Sequence, residues 1–221
     1  MAGKLFIAIA GNIGTGKTTL TKLLAEHYGW KAHFEAVQEN PYLADFYGDM
    51  ARWSFPLQIF FLTHRFKIHK GIAASNSSAI QDRSIYEDCH IFARNLYESG
   101  KMEKRDYFNY IDLYGEMLPF LDPPDLMIYL KKSVPKLMQQ IHKRGRNFEM
   151  NIPEDYITCL NRYYDEWIGN YNLGKLLIVD SNELDFVADK SHADLIASQV
   201  FEKLDQQQLF LPMATRPHHK N

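Results

Sequence analysis

Cysteine, excess charge and long apolar runs are all scarce in this sequence of 221 residues. The two cysteines, Cys89 and Cys159, are too few and too far apart for a disulfide framework or a zinc site. The 25 basic and 27 acidic side chains give a formal net charge of −2. This balance excludes a general nucleic-acid binder, which needs a strong excess of Lys and Arg. No apolar run approaches the roughly 20 residues of a membrane span.

The sequence also shows no stretch typical of a targeting segment. The apolar stretch 5–10 is shorter than the apolar region and cleavage site of a signal peptide, and a glycine-rich turn follows it. Two free thiols suit a reducing compartment. We therefore expect a cytoplasmic protein with neither a membrane nor a nucleic acid as partner. The length predicts a single domain over 1–205, and the polar stretch 206–221 is expected to fray.

Short apolar runs alternate with helical patterns along the chain. Buried strands are predicted at 5–10, 126–130 and 176–179, with weaker strands at 31–34 and 78–81. Helices are predicted at 17–28, 55–68, 86–97, 106–120, 134–142, 153–170 and 190–204. In the second helix, Pro56 stands at an early position that helices tolerate. This alternation predicts an α/β fold with a doubly wound, five-stranded parallel sheet and helices on both faces.

The strongest motif joins the first predicted strand to the first predicted helix and fits the phosphate-loop pattern G-x-x-x-x-G-K-[ST]. Its glycines let backbone N–H groups converge on phosphate oxygens, and the helix adds its positive N-terminal end. Lys17 is expected to reach the β- and γ-phosphates, and Thr18 to ligate Mg²⁺. The alternative is a glycine-rich turn without a ligand. The predicted nucleotide-binding residues are Gly11, Asn12, Ile13, Gly14, Thr15, Gly16, Lys17, Thr18 and Thr19.

Acidic residues follow two of the predicted strands, at the sheet edge where ligands bind in doubly wound folds. Glu35 follows the strand 31–34, where a carboxylate could accept a proton from an acceptor hydroxyl. Taken alone, a solvated loop glutamate is the simpler interpretation of this residue. Asp82 follows the strand 78–81 and is either a Mg²⁺ ligand or the N-terminal acid of a helix.

Two further segments offer chemistry on the acceptor side. Gln58, Phe61 and Arg65 share one face of the predicted helix 55–68, where an amide could read a nucleobase edge and a phenyl ring could stack on it. The alternative is an ordinary amphipathic helix. A cationic loop with a glycine at 143–146 is typical of lids that close over a transferring phosphoryl group, or of a solvated charge cluster.

Taken in chain order, these motifs resemble the deoxynucleoside kinase family. The order is the phosphate loop, Glu35, Tyr47, Gln58, Asp82-Arg83-Ser84 and Arg144-Gly145-Arg146. The similarity runs from about residue 4 to about residue 180 and is most specific at 82–88, 91–98 and 143–147. Residues 39–43 and 52–55 look like the bacterial deoxyadenosine/deoxyguanosine kinase branch. The resemblance implies a P-loop kinase with an arginine lid at about 143–150, ATP and Mg²⁺ as cofactors, and a deoxynucleoside substrate.

The resemblance also implies roles for individual residues. Glu35 matches the general base for the 5′-hydroxyl, and Arg83 the arginine that holds this hydroxyl and the base carboxylate. Gln58 matches the glutamine that pairs with the nucleobase. The remaining matches are Tyr47 and Glu149 for the 3′-hydroxyl, Arg144 and Arg146 for the phosphates, and Thr18 and Asp82 for Mg²⁺.

Two positions bear on the choice of base. Arg65 and Asp88 match the arginine and aspartate of deoxycytidine and deoxyguanosine kinases, where thymidine-accepting relatives carry small or apolar residues. The pair favours a base with an exocyclic amine and crowds the space of a thymine methyl. We therefore expect ATP-dependent phosphorylation of a purine deoxynucleoside, with deoxyadenosine favoured, for nucleotide salvage. Deoxyguanosine kinase, deoxycytidine kinase, a nucleoside monophosphate kinase and a non-catalytic kinase-like accessory subunit are the alternatives.

The sequence departs from the family pattern at two places. Asn40 stands where the family often has tryptophan, so Trp53 and Phe61 are the candidates for the wall above the base. Phe148 replaces an acid that eukaryotic members carry in the lid. Family members are usually homodimers, and the predicted helices 86–97 and 106–120 are candidates for that interface, although their periodicity also suits a core face.

Overall fold

The central sheet matches the predicted strands closely. The computed structural model describes residues 4–37, 39–186, 188–189 and 191–205. Within them, five parallel strands follow the order β2–β3–β1–β4–β5, so β1 lies in the centre. Every predicted strand is present, with each end shifted by at most one residue. The strands are β1 (Phe6–Gly11), β2 (Lys31–His33), β3 (Ala79–Asp82), β4 (Leu126–Lys131) and β5 (Lys175–Asp180).

Helices cover both faces of the sheet, which confirms the doubly wound fold. Because side chains alternate along a strand, β1 sends Ile7 and Ile9 to one face and Phe6 and Ala8 to the other. The first face packs against α1 and α9, and the second against α3 and α8. The helices are α1 (Lys17–Tyr28), α2 (Leu43–Gly48), α3 (Met50–Ala74), α4 (Ile85–Glu87), α5 (Arg94–Glu98), α6 (Lys104–Met117), α7 (Val134–Arg144), α8 (Glu154–Gly169) and α9 (Ser191–Asp205).

The second predicted helix was placed wrongly at its start. Helix α3 has 25 residues and begins at Met50 rather than at residue 55. The side chain of Asp49 accepts a hydrogen bond from the N–H of Arg52 at 3.1 Å, which caps the helix five residues earlier than expected. Pro56 therefore lies inside the helix, beyond its first turn. Helix α2 (Leu43–Gly48) was not predicted at all.

The predicted helix 86–97 is also not a single α-helix. A π-helical turn, Asp88–Ala93, separates α4 from α5. The predicted helix 106–120 begins at Lys104 and ends as a short 3₁₀ turn, Leu118–Phe120. Lys190, the expected start of the last helix, and the expected tail 206–221 lie outside the described residues. In the described part of the chain, no helix combines the length and the apolar character needed to cross a membrane.

Candidate active site

A cavity of about 860 Å³ opens at the carboxyl edge of the sheet. Its walls come from the phosphate loop, the segment after β2, one face of α3, the π-helical turn and the end of α7. The fold brings most of the predicted site residues into this one space. Three do not line it: Gly11, Asn12 and Asp82.

The phosphate loop connects β1 to α1, as the motif predicts. Gly16 precedes the helix with φ +95°, a conformation that suits glycine because it has no Cβ. The ammonium of Lys17 donates to the carbonyl oxygen of Asn12 at 2.9 Å, so the side chain folds back over its own loop. Burial, reinforced by the positive charge of Arg83, lowers the pKa of Lys17 to about 8. A triphosphate would reverse this shift by supplying negative charge.

Gly11 and Asn12 support the phosphate loop from behind instead of facing the cavity. A Cβ on Gly11 would stand 2.9 Å from the carbonyl oxygen of Leu130, so the close approach of β4 requires glycine there. The amide of Asn12 donates to the carbonyl oxygen of Ile157 at 3.0 Å and to Oδ1 of Asn161 at 3.1 Å. These contacts tie the loop to α8.

Thr18 and Asp82 form an oxygen-rich pair at the start of α1. The Thr18 hydroxyl donates to Oδ2 of Asp82 at 2.5 Å. The other carboxylate oxygen, Oδ1, is buried without a hydrogen-bond partner. Burial raises the pKa of Asp82, which a nearby cation would counteract. A hydroxyl and a carboxylate oxygen without a partner fit the donor set of Mg²⁺, which binds through few protein oxygens and the nucleotide phosphates.

Glu35 lies between two arginines from different elements. Its Oε1 is 2.5 Å from Nη2 of Arg65 on α3 and 3.1 Å from Nε of Arg83 after β3. Burial alone would raise the pKa of Glu35, but the positive charges of Arg83, Arg65 and Lys17 outweigh it and lower the pKa to about 2. The side chain is therefore a carboxylate at neutral pH, and the reading of Glu35 as a solvated loop residue is wrong.

Arg83 is the one described non-glycine residue with positive φ, at +64°. Such a backbone costs roughly 1–3 kcal/mol and persists where the surroundings hold it. Its N–H donates to the carbonyl oxygen of Ile9 at 3.0 Å, which fixes the turn against β1. Its guanidinium lies over the ring of Phe92, 4.5 Å from the centroid. The tertiary structure thus defines the orientation of this cation closely.

The part of the cavity formed by α3 and the π-helical turn contains buried polar atoms without hydrogen-bond partners. Gln58, Phe61 and Arg65 are all buried on one face of α3, as the spacing predicts. Nη1 of Arg65 contacts Oδ1 of Asp88, the first residue of the π-helical turn, and the guanidinium lies over the Phe61 ring. Oδ2 of Asp88 and Oε1 of Gln58 are buried acceptors without hydrogen-bond partners. Nε of Arg65 is a buried donor that also has no hydrogen-bond partner.

The predicted lid is the end of α7 and the 3₁₀ turn that follows, Asn147–Glu149. Glu149 is buried and engages both lid arginines: Arg144 through Nη2, and Arg146 with Nη1 at 3.3 Å. Tyr47, which lines the cavity, stacks on Phe148 of the lid, with ring centroids 6.0 Å apart. Burial raises the pKa of Tyr47 well above its usual value, so its hydroxyl stays protonated.

Of the two candidates for the wall above the base, only Phe61 lines the cavity. Trp53 packs outside it, against Tyr42 and beneath the guanidinium of Arg52. Phe92 also lines the cavity and was not predicted. Aromatic rings from both α3 and the π-helical turn thus line the cavity.

Sequence reasoning also missed two buried polar residues, one that lines the cavity and one that lies behind it. Lys132 is buried, lines the cavity and directly follows β4, a position at the carboxyl edge that could have indicated it. Glu87 is buried beside Arg83, where it completes a capping box with Ser84. The spacing Ser-x-x-Glu is a helix-start signature that could have predicted this pair.

The sheet, the phosphate loop and the cavity with its arginine lid together define a P-loop kinase. The model of one family, deoxynucleoside kinase, matches residues 7–205. The chain belongs to the deoxynucleoside kinase family, which confirms the resemblance and the prediction of an enzyme that transfers phosphate. Membership of a kinase family implies ATP as the phosphate donor.

Several proteins are similar over nearly the whole chain. A deoxyadenosine/deoxycytidine kinase of Bacillus subtilis is 39% identical, over 88% of this chain and 90% of its own. A deoxyadenosine kinase of Lactobacillus acidophilus is 36% identical, over 90% of this chain and 95% of its own. The structure of deoxyadenosine kinase from M. mycoides with the products dCMP and a flexible dCDP bound superimposes with a TM-score of 0.79 at 34% identity. It covers 90% of this chain and 99% of that one.

Proposed function

We propose that this protein transfers the γ-phosphoryl group of ATP to the 5′-hydroxyl of deoxyadenosine, giving the monophosphate for nucleotide salvage. The observation that carries the choice of base is a pair of buried polar atoms without partners, Oδ2 of Asp88 and Nε of Arg65, on two side chains that contact each other and line the cavity. A buried acceptor without a partner costs about 1–3 kcal/mol, which a bound donor would recover. Adenine presents an amine next to a ring nitrogen, so it offers both a donor and an acceptor.

Guanine fits the same atoms less well. Its O6 and N7 are both acceptors and would need two donors. Two of the three Arg65 nitrogens already contact carboxylates, those of Asp88 and Glu35, and the carboxylate of Asp88 can donate no hydrogen bond to either acceptor of guanine. Cytosine, in contrast, pairs an amine with a ring nitrogen as adenine does. Deoxycytidine is therefore the second candidate substrate, and one of the relatives is named for both activities.

At the reacting end, Glu35 accepts the proton of the 5′-hydroxyl and Arg83 orients the two groups. Glu35 is ionised and faces the same cavity as the phosphate loop. An acceptor phosphate would be repelled by this carboxylate, which disfavours a nucleoside monophosphate as substrate. Arg83 contacts Glu35 through Nε, so the base carboxylate has a fixed direction. Proton transfer of this kind contributes typically 10²- to 10⁴-fold in rate.

The sugar and the phosphates are bound by the groups around the lid. Tyr47 and Glu149 both line the cavity and would hold the 3′-hydroxyl. Arg144 and Arg146 now engage Glu149, and the entering phosphates would compete for them as negative charge develops in the transition state. Thr18 and Asp82 would hold Mg²⁺, which would neutralise negative charge on the nucleotide phosphates.

Three proposals concern the whole molecule. We expect residues 1–205 to form one kinase domain, two copies to form a homodimer, and the protein to act in the cytoplasm. The support for a dimer is apolar surface at α6: Phe108 is 47% exposed and Phe120, just after the helix, is 73% exposed. A sizing column with light scattering should show twice the chain mass of 25.8 kDa. A monomer at micromolar concentration would contradict the dimer.

The test of the function is steady-state phosphorylation of the four deoxynucleosides and of dAMP with ATP and Mg²⁺. We expect the highest kcat/KM for deoxyadenosine, a lower value for deoxycytidine, and little turnover of thymidine or dAMP. Absence of turnover with all four deoxynucleosides would refute the proposal. Preference for dAMP would instead indicate a nucleoside monophosphate kinase.

The base preference should depend on Asp88. Asp88→Ala removes the acceptor for the exocyclic amine and opens space for the thymine methyl. We expect the ratio of kcat/KM for deoxyadenosine to that for thymidine to fall roughly 10- to 100-fold, because one base-edge contact is worth about 1–3 kcal/mol. Asp112→Ala, at an exposed position of α6, is the control and should leave the ratio unchanged. An unchanged ratio in Asp88→Ala would remove this residue from base recognition.

A further inference from the structure

Glu87 is a fully buried carboxylate that has no role in the proposed reaction. Its Oε2 accepts hydrogen bonds from the N–H of Gly11 at 3.3 Å and from the hydroxyl of Tyr164 at 2.6 Å. The same oxygen lies 3.5 Å from Nη1 of Arg83. Its Oε1 accepts from the N–H of Ser84 at 3.0 Å. A buried charge is costly unless it is paired and hydrogen-bonded, and here every partner belongs to the phosphate loop, the Arg83 turn or α8.

Tyr164 completes this arrangement from α8. Nη1 of Arg83 donates to the Tyr164 hydroxyl at 2.5 Å, and that hydroxyl donates onward to Glu87. Arg83 therefore uses different nitrogens for different partners: Nη1 for Tyr164 and Glu87, and Nε for Glu35. Among the described residues that line the cavity, neither Glu87 nor Tyr164 is present. They act on the site only through Arg83 and the phosphate loop.

The backbone of Arg83 shows why such support is needed. Its φ of +64° places a non-glycine residue in the left-handed region, which the surroundings must hold. Glu87 accepts from the next N–H along the chain, that of Ser84, and so stabilises the turn as well as the side chain. A single carboxylate thereby links the end of β1, the turn after β3 and the guanidinium of Arg83.

We propose that Glu87 and Tyr164 are a positioning pair for phosphoryl transfer, which sets Arg83 against Glu35 and ties both to the first residue of the phosphate loop. This inference rests on the proposed function, in which Arg83 orients the acceptor hydroxyl and the base. A displacement of about 1 Å at a reacting group can cost roughly 100-fold in rate. Because the pair contacts neither substrate, its loss should lower kcat and leave KM nearly unchanged.

The test uses Glu87→Gln and Tyr164→Phe, with Tyr129→Phe as the matched control. Tyr129 is buried in the same core cluster and its ring stacks on Tyr164 at 5.7 Å, but its hydroxyl faces Asp165. We expect kcat with deoxyadenosine to fall roughly 10- to 100-fold in Glu87→Gln and about tenfold in Tyr164→Phe, with both KM values within about threefold of wild type. Tyr129→Phe should keep kcat within about twofold. The double variant should lose less than the product of the single losses, since the two side chains act together.

Three results would overturn the inference: kcat in Glu87→Gln and Tyr164→Phe within about threefold of wild type, a loss confined to KM, or an equal loss in Tyr129→Phe. If Glu87→Gln does not fold, Tyr164→Phe decides alone, because it keeps the ring and removes only the hydroxyl. Wild-type protein without turnover would overturn the proposed function itself. Normal wild-type turnover with unaffected variants would overturn the positioning pair alone.

Discussion

Glu35→Gln should lower kcat for deoxyadenosine roughly 10²- to 10⁴-fold, the range expected for loss of a general base. The amide keeps the size of the side chain and can still accept a hydrogen bond from Arg65. It cannot take the proton of the 5′-hydroxyl. Since the base and sugar contacts remain, KM for the nucleoside should change much less than kcat. Steady-state kinetics with saturating ATP and Mg²⁺ measure both quantities.

The control for this variant is Glu98→Gln. Glu98 is also paired with an arginine, Arg94 at 2.6 Å, but it does not line the cavity. Its substitution should leave kcat within about twofold of wild type, because pairing with an arginine does not by itself make a carboxylate catalytic. A loss below threefold in Glu35→Gln, or an equal loss in Glu98→Gln, would remove Glu35 from the role of general base.

The pH profile gives a second check on Glu35. Its pKa of about 2 means that the carboxylate stays ionised throughout the working range of the enzyme. The profile of kcat/KM reports the free enzyme, so titration of Glu35 should cause no fall in it between pH 7 and pH 5. Any fall in this range should be present in Glu35→Gln as well. The lowered pKa also stabilises the folded protein above the ordinary carboxyl pKa of 4.5, and this contribution is lost as the pH falls towards 2.

Lys17→Met should lower kcat roughly 10²- to 10³-fold, the cost of removing one positioned group that stabilises developing charge. The ammonium now donates to the carbonyl oxygen of Asn12, and a bound phosphate would give it a negatively charged partner. Methionine keeps the length of the side chain without the charge. The control is Lys22→Met on the same helix, a lysine whose side chain is 69% exposed, and it should behave as wild type. Retention of more than a third of kcat in Lys17→Met would contradict the assignment.

Lys17 should also couple nucleotide binding to protons. Because its pKa is about 8 in the free protein, a triphosphate that raises this pKa must take up a proton above pH 8. ATP affinity should therefore weaken as the pH rises beyond 8, and calorimetry in buffers of different ionisation enthalpy should detect the uptake. The folding stability should change with pH in the opposite direction to ATP affinity. Between pH 8 and 10.5 the unfolded chain binds more protons than the folded protein at Lys17, so wild-type stability should rise with pH relative to Lys17→Met. Equal slopes in the two proteins would contradict the buried lysine.

The phosphate site and the sheet were predictable because their signals are local. The motif from Gly11 to Thr18 lies within one strand, one turn and one helix, so no distant residue is needed to recognise it. Each strand is a short apolar run bounded by polar residues, and the ends shifted by at most one residue. The face shared by Gln58, Phe61 and Arg65 likewise follows from helical spacing alone.

The breaks in regular secondary structure were harder to predict from the sequence. Apolar periodicity continues across Asp88–Ala93, so the pattern indicates one helix where the chain forms a π-helical turn that turns Asp88 towards Arg65. The early start of α3 depends on a cap by Asp49, which the predicted start at residue 55 did not take into account. The sequence also did not show which aromatic candidate would line the cavity, because this depends on how the elements pack. Trp53 packs against Tyr42 instead.

By itself, then, the sequence determined the α/β fold and the nucleotide loop, because each rests on neighbouring residues, and the kinase family, because its short motifs follow one another in chain order. Only the tertiary structure decided that Glu35 is an ionised carboxylate between two arginines, one of them 30 residues away along the chain. It alone placed Glu87 against Tyr164, 77 residues apart. The physical reason is that the protonation and direction of a buried charge depend on the charges packed around it, and folding brings those from elements that sequence spacing cannot relate.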